Sequence, residues 1–269
     1  MMPTRITDST LNELNSRTKF VLSACGYEQR ASALLDKLSK TIVGRVCLAF
    51  REHPGILHRP DNDRKFGQGG FASVLSSGNS STDMRTVVAG ALETVKKTGG
   101  ALAFDISSMT RAWQGAIIQI LMTYEWDREI ETYFVYVPRQ FDKPPRHECA
   151  NEIVGPVQGF GALAPPDLPI ALVLSLGYER NKALGLMEIL DPGQTVLLIA
   201  KSGEEDSFYS NVLRNNREIL RRVSDRWFFS YPLRQPTATL QILESICGGL
   251  SLSYRVVLAP MGPKVFALL

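Results

Sequence analysis

The feature that most constrains the fold of this chain is a short sequence that occurs twice. Residues 21–28 read VLSACGYE and residues 173–179 read VLSLGYE, and with one residue gapped six positions are identical. Two further pairs keep nearly this spacing: GRVCLAF and GQTVLLIA begin 149 residues apart, and Met109 and Met261 lie 152 residues apart. A spacing kept this closely along 269 residues predicts two copies of one structural unit.

Within each copy, apolar runs of strand length alternate with stretches of helical periodicity. The first copy contains the runs KFVLSAC, RVCLAF, ALAFDIS and ETYFVYVP, and the second contains PIALVLSLG, TVLLIAKS, RWFFSYPL and YRVVLAP. Nearly continuous apolar strands separated by helices are typical of parallel sheets that are covered on both faces. We therefore predict an α/β fold with two duplicated Rossmann-like halves and mainly parallel sheets.

The boundaries of the two halves follow from this spacing and from a cluster of prolines. We expect residues 1–150 to form the first half with an N-terminal extension and residues 151–269 to form the second, with a linker at about 138–169. The second copy ends before any counterpart of ETYFVYVP, which predicts a half that is shortened at the C-terminus. In the first half, we predict a helix over residues 30–40 and a glycine-rich loop over residues 51–81.

Composition and charge exclude several classes of protein. Hydrophobic residues make up 44% of the chain and charged residues 21%, as in ordinary globular proteins. The net charge of +3 is too small to indicate extended duplex nucleic acid as a partner. No apolar run approaches the roughly 18–20 residues that span a bilayer, and the first residues do not resemble a secretory signal. We expect a cytoplasmic protein without a membrane segment.

The cysteines and histidines do not indicate a metal site. The four cysteines are scattered without a CxxC pair, and none of the three histidines is spaced with a cysteine as in a zinc finger. We predict reduced thiols, no metal and no cofactor.

The segment DISSMTR, at the end of the run ALAFDIS, is the most informative candidate site. Ligands of parallel sheets bind beyond the carboxyl ends of the strands. Hydroxyl groups, a guanidinium and the first N–H groups of a helix together suit a phosphate or another anion. The alternative is that a serine only caps the helix and the arginine is solvated. The candidate ligand-binding residues are Asp105, Ser107, Ser108, Thr110 and Arg111, with Gly262 and Lys264 of the segment PMGPK in the second half.

The repeated GYE sequence is the second candidate site. A glycine allows a tight turn, a tyrosine is suited to stacking on a base, and a glutamate is suited to accepting from a ribose or to acid–base catalysis. The alternative is an internal Glu–Arg pair that closes each half on the other. The candidate ligand-binding residues are Gly26, Tyr27, Glu28 and Arg30 in the first half and Gly177, Tyr178, Glu179 and Arg180 in the second.

A duplicated Rossmann-like chain with a hydroxyl-rich turn before a helix resembles the CARF and SAVED families, the nucleotide-sensing domains of prokaryotic antiviral systems. In CARF domains this turn commonly reads D/N-x-T-G-G-T-K-x-M, and Asp105, Ser107, Ser108, Thr110 and Arg111 take its place here. The Gly-Gly pair is absent, arginine replaces lysine, and the methionine precedes the threonine. The resemblance implies that a cyclic or linear oligonucleotide binds across the two halves.

Three functions remain open at the level of sequence. The first is a nucleotide-binding sensor or adaptor subunit, which would act on a protein partner or effector in another chain. The second is a hydrolase that cleaves a phosphodiester or N-glycosidic bond of a nucleotide, with Glu28, Glu179 and Asp105 as candidate catalytic acids. The third is a structural subunit that keeps the fold without a ligand.

Overall fold

The computed structural model describes residues 7–124, 129–138, 154–161, 167–201 and 207–269. Its described residues form two compact units, the first made of residues 9–138 with 157–161 and the second containing residues 167–269. Most of the predicted linker lies outside the described residues. Among the described residues, no helix is both long and apolar enough to cross a membrane.

The first unit is built around a parallel sheet of five strands in the order β3-β2-β1-β4-β5. The strands are β1 (Thr18–Cys25), β2 (Gly44–Phe50), β3 (Ala72–Ser76), β4 (Ala101–Asp105) and β5 (Thr132–Val135). The helices are α1 (Leu11–Arg17), α2 (Arg59–Gln68), α3 (Thr82–Thr98) and α4 (Arg111–Thr123), with short 3-10 helices at Gln29–Ser32 and Leu35–Lys37.

The second unit contains a parallel sheet of four strands in the order β8-β7-β6-β9. The strands are β6 (Ile170–Ser175), β7 (Gln194–Lys201), β8 (Phe228–Pro232) and β9 (Arg255–Pro260). The helices are α5 (Lys182–Leu190), α6 (Ser207–Asn215), α7 (Arg217–Leu220), α8 (Pro236–Leu250) and α9 (Lys264–Leu268), with a 3-10 helix at Asp225–Trp227. The strands follow the order of the first four strands of the first unit.

These two sheets confirm the predicted α/β fold with two Rossmann-like halves, the second of which has the smaller sheet. The apolar runs of β1, β4, β6 and β7 form strands that are buried on both faces, as their composition predicts, whereas β5, β8 and β9 are only partly buried. Neighbouring residues of β6 and β7 alternate between two cores, with Ala171, Val173, Val196 and Leu198 in one and Leu172, Leu174, Leu197 and Ile199 in the other.

The prediction of a loop over residues 51–81 is wrong, because this segment contains α2 and β3. Helix α2 buries mainly Arg59, Asn62 and Phe66, so its sequence lacks an apolar stripe. Strand β3 lies at the edge of the sheet and is largely exposed, so it lacks a continuous apolar run. Its counterpart in the second unit, β8, has a strongly apolar sequence. Subtracting the repeat spacing from the position of β8 would have located β3 approximately.

The predicted helix over residues 30–40 is also wrong, since this segment forms two separate 3-10 helices. Asn15 ends the second of them, because its side chain donates to the carbonyl of Lys37 at 2.8 Å and accepts from the N–H of Ser39 at 2.8 Å. The apolar residues Leu34, Leu35 and Leu38 are nevertheless buried in the core.

The buried thiol of Cys47 predicts a loss of stability at alkaline pH. Burial raises the pKa of Cys47 to about 11 from its ordinary value of 9.0. A raised pKa favours the folded state below pH 9.0, and this contribution disappears as the pH rises towards the folded-state value. Between about pH 7 and pH 10, the wild type should lose roughly 1 kcal/mol more unfolding free energy than Cys47→Ala in urea denaturation. Equal losses in the two proteins would contradict the burial of this thiol.

Candidate functional site

The carboxyl ends of β1 and β4 meet at the topological switch point of the first sheet. The chain passes outward from β1 through β2 to β3 and then returns to β4 on the other side of β1. In this arrangement ligands bind in the crevice between the two diverging connections. The structure brings Gly26 and Ser108 together there, since a Cβ atom at Gly26 would lie 3.0 Å from the Cβ and 3.1 Å from the Oγ of Ser108.

The segment DISSMTR forms an ordered turn between β4 and α4. The carboxylate of Asp105 is buried and its Oδ1 accepts from the N–H of Ser107 at 3.0 Å. The Oγ of Ser107 accepts from the N–H of Val137 at 2.9 Å, which links the turn to the residues after β5. Both contacts shape the backbone of the switch point.

Thr110 is the N-cap of α4, so the alternative that Ser107 or Ser108 caps this helix is wrong. Its hydroxyl accepts from the N–H of Trp113 at 3.2 Å and donates to the carbonyl of Gly78 at 2.7 Å. Arg111 follows as the first residue of the helix and is exposed.

Two polar side chains near the start of α4 are buried without a hydrogen-bond partner in the described part of the chain. Ser108 is 6% exposed and its Oγ has no partner, and Gln114 is 1% exposed with neither amide atom bonded. A buried group left in this state costs roughly 1–3 kcal/mol. Such groups require an explanation in a native protein, and an absent ligand is one.

A stack of three aromatic rings lies beside this edge of the sheet. Phe50, at the end of β2, stacks on Tyr27 with 5.2 Å between ring centroids and on Trp113 with 4.7 Å. The hydroxyl of Tyr27 donates to the carbonyl of Glu52, and burial is the main cause that raises the pKa of this tyrosine. One face of the Tyr27 ring is therefore covered by Phe50, while the residue as a whole is half-buried.

The ion pair between Glu28 and Arg30 forms within the first unit. The Arg30 side chain is 12% exposed, and its guanidinium donates to the Glu28 carboxylate, to the Tyr136 hydroxyl at 3.2 Å and to the Val137 carbonyl at 3.0 Å. These contacts attach the turn after β1 to the residues after β5. In the first half, the Glu–Arg pair thus connects two strand ends of the same sheet, and the alternative in which it closes one half on the other is wrong for this pair.

The turn after the first strand of each unit is held by a buried asparagine that the sequence analysis missed. Asn62 of α2 donates to the carbonyls of Gly26 and Glu28, each at 2.9 Å, and Asn216 donates to the carbonyl of Gly177 at 2.9 Å. These asparagines are 1% and 3% exposed. They lie 154 residues apart in PDNDRK and RNNREI, so the repeat spacing was the signal that pointed to them.

The corresponding edge of the second unit is closed by its own backbone. A Cβ atom at Gly177 would overlap the carbonyl oxygen of Met261, and one at Gly262 would overlap the hydroxyl of Ser175. That hydroxyl also shares a hydrogen bond of 3.0 Å with the Tyr231 hydroxyl. Glu179 and Arg180 are exposed, Tyr178 and Lys264 are half-buried, and α9 has only five residues.

No family model, curated protein or solved structure matches this chain. Among the described residues, no group of three or more histidine, cysteine, aspartate or glutamate side chains could hold a metal ion. We therefore infer the function from the geometry of the strand ends.

Loss of either asparagine should destabilise the protein through its turn. We expect Asn62→Ala and Asn216→Ala to lower the free energy of unfolding by roughly 1–3 kcal/mol each, because buried carbonyls lose their donor. Asn211→Ala is the matched control, since that side chain is bonded within α6 at an exposed site and should change stability by less than about 0.5 kcal/mol. Chemical denaturation checks this, and equal effects at Asn62 and Asn211 would contradict it.

Substitutions of two glycines in the second unit should have opposite effects on stability. Gly177→Ala forces a Cβ atom against the Met261 backbone and should cost roughly 1–3 kcal/mol. Gly248→Ala lies in α8 with nothing within 4 Å of the added atom and should stabilise the helix by up to about 1 kcal/mol. Thermal unfolding of both variants measures the contrast, and a neutral Gly177→Ala would show that the turns do not pack as described.

Proposed function

We propose that this protein binds a phosphate-bearing nucleotide at the carboxyl ends of β1 and β4 in its first unit. The observation that carries the proposal is a pair of buried polar side chains with no hydrogen-bond partner among the described residues, Ser108 at the switch point and Gln114 in the first turn of α4. A hydroxyl and a carboxamide both donate and accept, so they suit the mixed acceptors and donors of a nucleotide.

The start of α4 adds a favourable field for an anion. This helix has thirteen residues, and its N-terminus carries partial positive charge next to Ser108. Arg111 occupies its first position and is exposed, where a guanidinium is suited to a phosphate. The close approach at Gly26 leaves the Ser108 side chain beside the end of β1.

The contacts of the candidate acids support binding over cleavage. Glu28 is paired with Arg30, and Asp105 accepts from the Ser107 backbone, so both carboxylates hold the strand ends in place. Glu179 belongs to the second unit and is exposed. The alternative of a nucleotide hydrolase that uses Glu28, Glu179 or Asp105 would be favoured instead by turnover that Glu28→Gln and Asp105→Asn abolish.

The role as a sensor or adaptor subunit of a prokaryotic defence system is supported by the resemblance of DISSMTR and of the duplicated architecture to the CARF and SAVED families. In this proposal the bound nucleotide changes the interaction with a protein partner or effector in another chain. Co-purification of a partner whose affinity depends on nucleotide would support this role.

Removal of the Ser108 hydroxyl should improve stability and weaken binding. Ser108→Ala deletes a buried unpartnered group, so the melting temperature of the ligand-free protein should rise while nucleotide affinity falls about 10-fold or more. Ser23→Ala is the matched control, because Ser23 is equally buried and unpartnered but lies roughly 10 Å before Gly26 along β1. It should raise the melting temperature without changing affinity.

The measurement is a thermal-shift series followed by calorimetric titration with AMP, ATP, a cyclic dinucleotide and a linear trinucleotide. Failure of every member of this panel to stabilise the wild type would refute nucleotide binding. Equal affinity in the wild type and Ser108→Ala would place the ligand elsewhere.

A further inference from the structure

A small cavity in the second unit is lined by three arginines and one asparagine. Arg180 follows the repeated GYE sequence, Arg214 lies near the end of α6, and Arg217 begins α7. Together with Asn215 they enclose about 210 Å³. Arg214 and Arg217, which lie 34 and 37 positions after Arg180 along the chain, thus line one space with it.

The asparagine pair at the junction of α6 and α7 produces this convergence. Asn215 donates to the carbonyl of Tyr178 at 2.7 Å, and Asn216 donates to the carbonyl of Gly177 at 2.9 Å. These two bonds hold the helix junction against the turn that carries Arg180. The cavity therefore has a fixed frame, although the arginine side chains themselves are exposed.

Among the described residues, the positive charge that lines this cavity exceeds the negative charge paired with it. Arg217 donates through Nε to the carboxylate of Glu218 at 3.0 Å, and Arg214 donates to the side-chain oxygen of Asn211. Arg180 makes no hydrogen bond or ion pair within the described residues. Since each guanidinium carries five N–H donors, most donors of the three arginines remain available to a ligand.

The two arginines that follow α7, Arg221 and Arg222, lie outside the cavity. Arg221 pairs with Glu218 at 3.3 Å and Arg222 pairs with Glu188 at 3.0 Å, and neither lines the cavity. In the sequence RNNREILRR, Arg214 and Arg217 therefore line the cavity, with Arg217 also paired with Glu218, whereas Arg221 and Arg222 form surface ion pairs away from it. This division argues against a uniformly solvated helix face.

We propose that the cavity binds a phosphate or pyrophosphate group, either free or at the end of a nucleotide. Guanidinium groups bind phosphate oxygens through two parallel N–H bonds, which favours arginine at such sites. The volume is smaller than the roughly 300–1,000 Å³ of pockets that enclose whole drug-sized ligands, so it suits the charged group alone. The site belongs entirely to the second unit and does not rest on the proposed function of the first.

The test is calorimetric titration of the full-length protein with pyrophosphate and, separately, with ATP at about 150 mM salt, where exposed charges are screened. Arg180→Gln and Arg214→Gln should each weaken binding about 10-fold or more, because a charged hydrogen-bond donor is lost. Arg222→Gln is the matched control and should change affinity less than about 2-fold. Binding of both compounds indicates the phosphate group as the determinant. Binding of ATP alone indicates the nucleotide as its source only if Arg180→Gln weakens it and Ser108→Ala does not.

Three results would overturn this inference. The first is no binding of either compound by the wild type. The second is equal weakening by Arg222→Gln, which would indicate nonspecific attraction to the arginine-rich surface. The third is binding of a single-stranded oligonucleotide without binding of pyrophosphate or ATP. Ser108→Ala should leave pyrophosphate binding unchanged, so failure of this site and failure of the first-unit site remain distinguishable.

Discussion

The candidate site of each unit lies where the chain leaves the central strand of the sheet, and its geometry depends on the turn that the chain makes there. Directly after β1 and β6, the carbonyls of Gly26 and Gly177 are bonded by a side chain and not by a neighbouring strand. A buried asparagine supplies the missing donor in each case, Asn62 for Gly26 and Asn216 for Gly177. Buried carbonyls without donors are costly, so this one amide fixes the position of the turn, and the residues after the turn are positioned by it.

The two copies use this shared frame in different ways. In the first unit, the turn brings Gly26 against Ser108, and the side chains of Ser108 and Gln114 are buried with no hydrogen-bond partner in the described part of the chain. In the second unit, Gly177 packs against the Met261 backbone and Gly262 against the Ser175 hydroxyl, and Arg180, Arg214 and Arg217 line a separate cavity with Asn215. The duplication therefore provides the same fold twice, with different residues at the strand ends. Each unit has its own candidate anion site.

Part of the candidate site could be predicted from sequence because its residues follow apolar runs directly. The pairing of Gly26 with Ser108 follows once β1 and β4 are neighbours in a parallel sheet. Other features could not be predicted, since they depend on partners far away in sequence. Arg30 donates to the carbonyl of Val137, which lies 107 residues away in the sequence, and Thr110 donates to the carbonyl of Gly78, which lies 32 residues away. Helix α2 buries mainly polar groups, so hydrophobic periodicity gave no signal for it.

The sequence by itself determined the parallel sheets, the duplication and the alternation of strands and helices outside residues 30–81, because these depend on local apolar runs and on a spacing that is visible in the chain. Only the tertiary structure decided which polar side chains form hydrogen bonds and which do not. Thr110 uses its hydroxyl to bond the helix and the neighbouring loop, and Arg30 forms an ion pair. Ser108 is buried with no hydrogen-bond partner among the residues that the structure describes. Whether a polar group forms a hydrogen bond depends on its neighbours in space. Residue type and spacing could therefore identify these side chains as candidates, but they could not show which of them lack a partner.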